Sequence, residues 1–177
     1  MIEEQLKAYI RDIPDFPQPG IVFKDITPLL QQPELVQLAV KEFVKKLEGI
    51  EIDVIAGIES RGFLFGFLLA QELNKPFVPI RKQGKLPFHT ISESYKLEYG
   101  QATIEMHEDA IQKGTKVLMH DDLLATGGTV VAASKLVEKL GGVITGYSFV
   151  ISLDFLQSAG RLTRFSENII SLVHYED

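Results

Sequence analysis

The chain has 177 residues, with 18 Lys+Arg against 24 Asp+Glu and a net charge of −6, and that length fits one domain. At 45% hydrophobic and 24% charged it can bury a core rather than remain disordered, while the acidic balance argues against nucleic acid or an anionic membrane as a partner. It contains no cysteine, which excludes disulfides, thiolate zinc sites and a cysteine nucleophile.

The N-terminus, Met1 to Phe16, opens with acids and has no apolar h-region, so it does not read as a signal peptide. The longest apolar stretch, Phe63 to Ala70, falls far short of the roughly 20 residues that span a bilayer. A soluble, cytoplasmic protein is expected. Ile2, Leu6, Tyr9, Ile10 and Ile13 predict a short amphipathic helix within the first 17 residues, ending near Pro14. Pro14 to Gly20 holds three prolines and is irregular. A helix opens at Pro33, carries Leu35, Leu38, Ala39, Phe43 and Leu47, and stops at Gly49.

From there strands and helices alternate. Asp53 to Ile58 reads as a buried strand, and Ser60 is placed to cap a helix running to about Leu73. Phe77 to Ile80 is a short strand. Residues 81 to 100 show no clear period and read as a long loop, a kind that is usually functional or mobile. Strands follow at Gln101 to His107, Val117 to Asp122, Thr145 to Leu153 and Ile169 to His174, with a helix from Thr129 to Leu140 closed by Gly141-Gly142. The alternation predicts an α/β fold, a mostly parallel sheet with helices on both faces. Ligands bind such sheets beyond the carboxyl ends of the strands, so the turns after Ile58 and Met119 carry the candidate chemistry.

In the later turn, an apolar strand runs into Asp121-Asp122-Leu123-Leu124-Ala125-Thr126-Gly127-Gly128-Thr129 and then a helix. Small residues admit close backbone approach, the helix N-terminus offers free N–H groups, and Thr126 and Thr129 add hydroxyls. Together these make a phosphate cradle. Alone, the glycine pair is an ordinary turn and the two acids are helix caps. The whole pattern, carboxylates for vicinal hydroxyls directly before a cradle, points to a sugar phosphate. Neither the Gly-Lys-Ser/Thr of an ATP loop nor Gly-x-Gly-x-x-Gly is present. His120 at the strand end reads as a core residue without a catalytic role. In the earlier turn, Glu59-Ser60-Arg61-Gly62-Phe63 brings a guanidinium fork, suited to phosphate, to the same edge.

The stretch Val117 to Thr129 closely resembles the phosphoribosyl-diphosphate (PRPP) motif of type I phosphoribosyltransferases, in the form seen in adenine phosphoribosyltransferases. Glu59 to Phe63 resembles the diphosphate loop of that family. Arg81-Lys82-Gln83-Gly84-Lys85-Leu86-Pro87 and Leu97-Glu98-Tyr99-Gly100 resemble the ends of its flap, and Gly20 to Leu30 resembles its hood. The similarity runs from about Pro14 to Leu153, with Ser171 to Glu176 fitting the family's last strand. It implies the type I phosphoribosyltransferase fold over residues 1–177, with a hood at 1–32 and a flexible flap at 81–100. By the same resemblance, Asp121 and Asp122 hold the ribose hydroxyls, and Ala125, Thr126, Gly127, Gly128 and Thr129 hold the 5′-phosphate. Glu59, Ser60, Arg61, Arg81 and Lys85 meet the diphosphate, Arg81 and Lys85 from the same or the neighbouring subunit of a homodimer. A cis Glu59–Ser60 peptide is also implied. Adenine would lie on the ring of Phe23, its edge read by backbone groups of Val22 and Lys24. Glu98 is the candidate catalytic acid, and Tyr99 helps close the pocket. The implied reaction is adenine plus PRPP giving AMP and diphosphate, with Mg²⁺ carried by the diphosphate rather than by a protein site. A 6-oxopurine enzyme of the same family is disfavoured by Val22-Phe23-Lys24 and by the diphosphate loop. A PRPP-sensing regulator would need a DNA-binding domain and a basic face, and a plain binding domain leaves the paired acids unexplained.

Overall fold

The computed structural model describes residues 1–97 and 100–177. The first helix, α1 (Ile2–Lys7), is shorter than its apolar spacing predicts. The chain instead extends into β1 (Arg11–Pro14), antiparallel to β2 (Val22–Asp25). Opposite charges on successive rungs hold this hairpin: Arg11 meets Asp25 at 3.2 Å and Asp12 meets Lys24 at 2.7 Å. A single turn, α2 (Thr27–Leu30), leads to α3 (Pro33–Lys46), which opens on proline as expected and buries Ala39, Val40 and Phe43.

All five residues of β3 (Val54–Ile58) are buried. The following helix, α4 (Gly62–Glu72), starts from Arg61, with no side-chain cap. Ser60 therefore does not cap it, a correction to the sequence reading, because the chain enters the helix one residue later. β4 (Phe77–Lys82) runs two residues beyond its expected end. The region expected to be irregular between 81 and 100 contains β5 (Thr90–Lys96), paired along its length with β6 (Gln101–His107). β7 (Lys116–Leu124) continues past the two aspartates, so Leu123 and Leu124 belong to the strand rather than to the loop. α5 (Gly128–Lys139), β8 (Val143–Leu153), two 3-10 turns (Asp154–Leu156 and Ser158–Arg161) and β9 (Ile169–Tyr175) complete the described chain.

The large sheet has the order β5-β6-β4-β3-β7-β8-β9. Five neighbouring strands, β4, β3, β7, β8 and β9, are parallel, and the β5–β6 hairpin adds antiparallel to β4. Period-2 alternation divides the core. Val54, Ala56, Ile58, Val117 and Met119 pack with Val130, Ala133, Leu136 and Val137 of α5. Ile55 and Leu118 pack on the opposite face with Leu6, Phe43, Phe65 and Leu69 of α1, α3 and α4. The expected two-faced α/β architecture is thus present. From β3 the chain proceeds to β4 on one side, and from β7 to β8 and β9 on the other. The order reverses between β3 and β7, and the crevice at such a reversal is where open α/β sheets bind ligands.

Candidate active site

The turns after β3 and β7 meet at this crevice. Gly57 pairs with His120 in the ladder, so the residues beyond them emerge side by side. Arg61 Nε donates to Asp122 Oδ2 at 2.7 Å, and Asp122 is almost fully buried. The Asp122 amide donates to Asp121 Oδ1 at 2.8 Å. Burial first, and the neighbouring Asp122 charge second, push the Asp121 carboxyl well above the usual aspartate range. The Glu59–Ser60 peptide is cis, as the resemblance implies. Glu59 Oε2 accepts from Arg81 Nε at 2.7 Å. Burial alone would raise the Glu59 carboxyl. The Arg81 hydrogen bond, a backbone N–H and the charges of Arg81 and Lys85 outweigh it and hold that carboxyl below its ordinary value.

These side chains line one cavity of about 310 Å³, together with Ser60, Lys82, Tyr95, Ile104 and Thr129. The glycine-rich loop of residues 125–129 reaches the cavity at Thr129. Gly127 takes a φ of +77°, a conformation glycine adopts without steric penalty, and α5 begins there with no side-chain cap on its N-terminus. Its first-turn N–H groups are therefore not taken by a capping side chain. Arg161 Nη1 donates to the Thr126 carbonyl at 2.6 Å, which pins the loop from behind. Thr129 Oγ1 donates to the Tyr95 hydroxyl at 2.9 Å.

On the hood, the Arg61 guanidinium carbon sits 4.7 Å from the centre of the Phe23 ring, and Phe16 meets the same ring edge-on at 5.2 Å. Val22 is 47% exposed. Its ladder partner is Pro14, which has no N–H and so cannot occupy the Val22 carbonyl. The Lys24 side chain is buried, engaged by Asp12 at 2.7 Å and lying over the Tyr175 ring at 3.9 Å. Lys85 is not among the described residues lining the cavity; its carbonyl accepts from Arg81 Nη1 at 3.4 Å. Glu98 and Tyr99 lie outside the described residues. His120 is wholly buried, as its core reading expects.

Residues 25–153 match the family described as the phosphoribosyl transferase domain. The chain belongs to the phosphoribosyltransferase family of enzymes. Among its relatives is the adenine phosphoribosyltransferase of Cytophaga hutchinsonii, 51% identical over 175 residues, covering 99% of this chain and 97% of that protein. The crystal structure of adenine phosphoribosyltransferase from Thermoanaerobacter pseudethanolicus superposes with a TM-score of 0.93 at 47% identity, covering 99% of this chain and 100% of the other. The Saccharomyces cerevisiae enzyme, complexed with an imino-altritol bisphosphate and adenine, superposes with a TM-score of 0.90 at 39% identity, covering 97% and 98% of the two chains. Two polar cavity residues of this phosphoribosyltransferase escape sequence reasoning. Lys82 is masked by the cations on either side of it, Arg81 and Lys85. Tyr95 reaches the site only because β5 folds back on β6. Arg161, behind the glycine-rich loop, carries no sequence signal that places it there.

Proposed function

We propose that this phosphoribosyltransferase transfers the 5-phosphoribosyl group of PRPP to N9 of adenine, releasing diphosphate and forming AMP in a cytoplasmic purine-salvage role. One observation carries the reading: a continuous line of contacts from Asp122 through Arg61 to Phe23, at 2.7 Å and 4.7 Å. A carboxylate suited to ribose hydroxyls, a cation suited to phosphate and an aromatic platform for the base thus adjoin at one crevice, which supports a transfer that brings all three groups together at C1′.

In the transfer, the bond from C1′ to the diphosphate oxygen breaks and the N9–C1′ bond forms. The ribose ring gains oxocarbenium character on the way. Asp121 and Asp122 hold its hydroxyls and favour positive charge there. The phosphate loop, residues 125–129, fixes the 5′-phosphate and so the position of C1′. Glu59 and Ser60 shape the diphosphate loop, while Arg61, Arg81 and Lys85 take up the charge of the leaving group. Lys82 joins them from the cavity wall. The base lies on Phe23 once Arg61 has moved off the ring. The Val22 carbonyl accepts from the 6-amino group and a Lys24 backbone N–H donates to N1. Hypoxanthine presents the opposite polarity at both atoms, and each buried mismatch costs about 1–3 kcal/mol. Adenine loses one proton as N9–C1′ forms; Glu98 holds that proton at N7, taking it up in this direction and returning it as the acid in the reverse one, and Tyr99 closes the pocket over residues 81–100, excluding water.

Among the described residues, no three His, Asp or Glu side chains converge as a metal cage, and the cavity carboxylates Glu59 and Asp122 are engaged by arginines. Such a donor set suits a Mg²⁺ ion delivered on the diphosphate, with water completing its coordination. When bound, Mg²⁺ would neutralise diphosphate charge, held by the diphosphate oxygens and water rather than by a protein cage. A homodimer is supported by an apolar row left in solvent on α4: Leu64 at 43%, Phe67 at 51% and Leu68 at 41% exposure.

The deciding assay measures diphosphate release from PRPP and Mg²⁺ with adenine, hypoxanthine, guanine or no base. Release is expected with adenine at least about thirtyfold faster than with hypoxanthine, and equal rates with the two bases would refute the base assignment. In the same assay, Glu98→Gln is expected to lower turnover by about 10²-fold or more; full activity would remove its role.

A further inference from the structure

One polar residue of the cavity has no part in the transfer as described. Tyr95, half-buried on β5, packs its ring beside the start of α5: a Cβ on Gly128 would stand 3.6 Å from Tyr95 Cδ2. Its hydroxyl accepts from Thr129 Oγ1 at 2.9 Å. Among the described residues, no protein acceptor takes the phenol's own proton. The strand is firmly held where this happens. Glu93 pairs with Lys139 at 2.6 Å and with Lys135 at 3.6 Å, and Lys139 Nζ also donates to the Ser92 carbonyl at 2.9 Å. Both lysines belong to α5, the helix whose first turn contains Gly128 and Thr129. The phenol is thus fixed against the phosphate loop, on the cavity that Tyr95 and Thr129 both line.

We propose that Tyr95 completes the 5′-phosphate subsite from the flap side, donating its phenolic proton to a phosphate oxygen held by residues 125–129. This assignment rests on the PRPP reading above. The hydroxyls form a chain in which Thr129 donates to Tyr95 and Tyr95 donates to the anion, each bond polarising the next. A donor to a phosphate dianion forms a charge-assisted bond, stronger than a neutral one. Thr129 keeps its backbone N–H for the same ligand.

The test is Tyr95→Phe, which keeps the ring on Gly128 and removes only the donor. Ribose 5-phosphate and inorganic diphosphate serve as competitive inhibitors against PRPP. The variant's Ki for ribose 5-phosphate is expected to rise on the order of tenfold, with the Ki for diphosphate within about twofold of wild type. A shift of both constants together, or of neither, overturns the assignment. Tyr95→Leu removes the ring as well: it should lower the melting temperature, yet raise the ribose 5-phosphate Ki no further than Tyr95→Phe does. A much larger rise would mean that packing, not proton donation, is what Tyr95 supplies. If the wild-type protein forms no AMP from PRPP and adenine, the functional reading itself fails; with wild-type turnover intact, unchanged constants in Tyr95→Phe dispose of the Tyr95 assignment alone.

Discussion

His120 is a polar residue placed among apolar ones, directly before the two aspartates. Its Nδ1 lies 2.8 Å from Ser148 Oγ, its Nε2 is buried without a partner among the described residues, and the Phe43 ring meets it edge-on. Burial pushes its imidazole down to about 3, against about 6.5 in an unfolded chain. Between those values the unfolded chain binds a proton that the folded one refuses. Stability is therefore complete above about pH 6.5 and falls as the pH drops below it. His120→Leu should remove that dependence, sparing about 2 kcal/mol of the loss between pH 7 and pH 5. Urea unfolding at the two pH values checks this, and an identical loss in variant and wild type would contradict it. The core placement of His120 is legible in the sequence, but its partner Ser148 is not, since it lies 28 positions away on β8. Asp121, Asp122, Glu59 and Arg61 are legible because each sits in a local strand-turn-helix pattern that already states its position at the sheet edge.

Element geometry imposes its own demand at the start of α4. A Cβ on Gly62 would stand 2.9 Å from Asp121 Oδ1, 3.1 Å from Asp121 Cα and 3.2 Å from the His120 carbonyl oxygen. Two of those neighbours are backbone in a central strand and cannot give way. Gly62→Ala is expected to cost about 1–3 kcal/mol of stability and to displace Asp121, lowering AMP formation. A thermal melt beside the activity assay reads both effects, and an unchanged melting temperature would refute the close approach. The helices and buried parallel strands are legible from their apolar periods. β1 is not, because Ile10 and Ile13 continue the helical spacing of Ile2 and Leu6 while the decisive partner, β2, arrives later in the chain. β5 is hidden for a different reason. Ile91, Glu93 and Tyr95 face inward while Ser92, Ser94 and Lys96 face solvent, a genuine period of two. Glu93 occupies one of its apolar slots, admitted there only by Lys135 and Lys139 of α5.

For the whole molecule, the reversal of strand order between β3 and β7 sets the site, and strands alternating with helices foretell that edge without foretelling the strand order. The net charge of −6 describes the far field, whereas the cavity concentrates Arg61, Arg81 and Lys82 beside a helix N-terminus, so an acidic protein can still take a polyanion locally. The apolar row on α4 belongs to this scale too. Phe67→Glu places a charge in the centre of the face proposed to join two copies, and sedimentation should show the mass halved relative to wild type. A wild-type monomer, or a variant that remains dimeric, would rule out that face. The arginines of the site have a further consequence. Arg61 lies on Phe23 and bonds Asp122, and Arg81 bonds Glu59, so these charges already have partners within the chain. Ligand binding at this crevice is then an exchange reaction in which old ion pairs are traded for new ones. The measured affinity reports only the difference between the two sets. Weakening an internal pair could tighten substrate binding even as it loosens the fold.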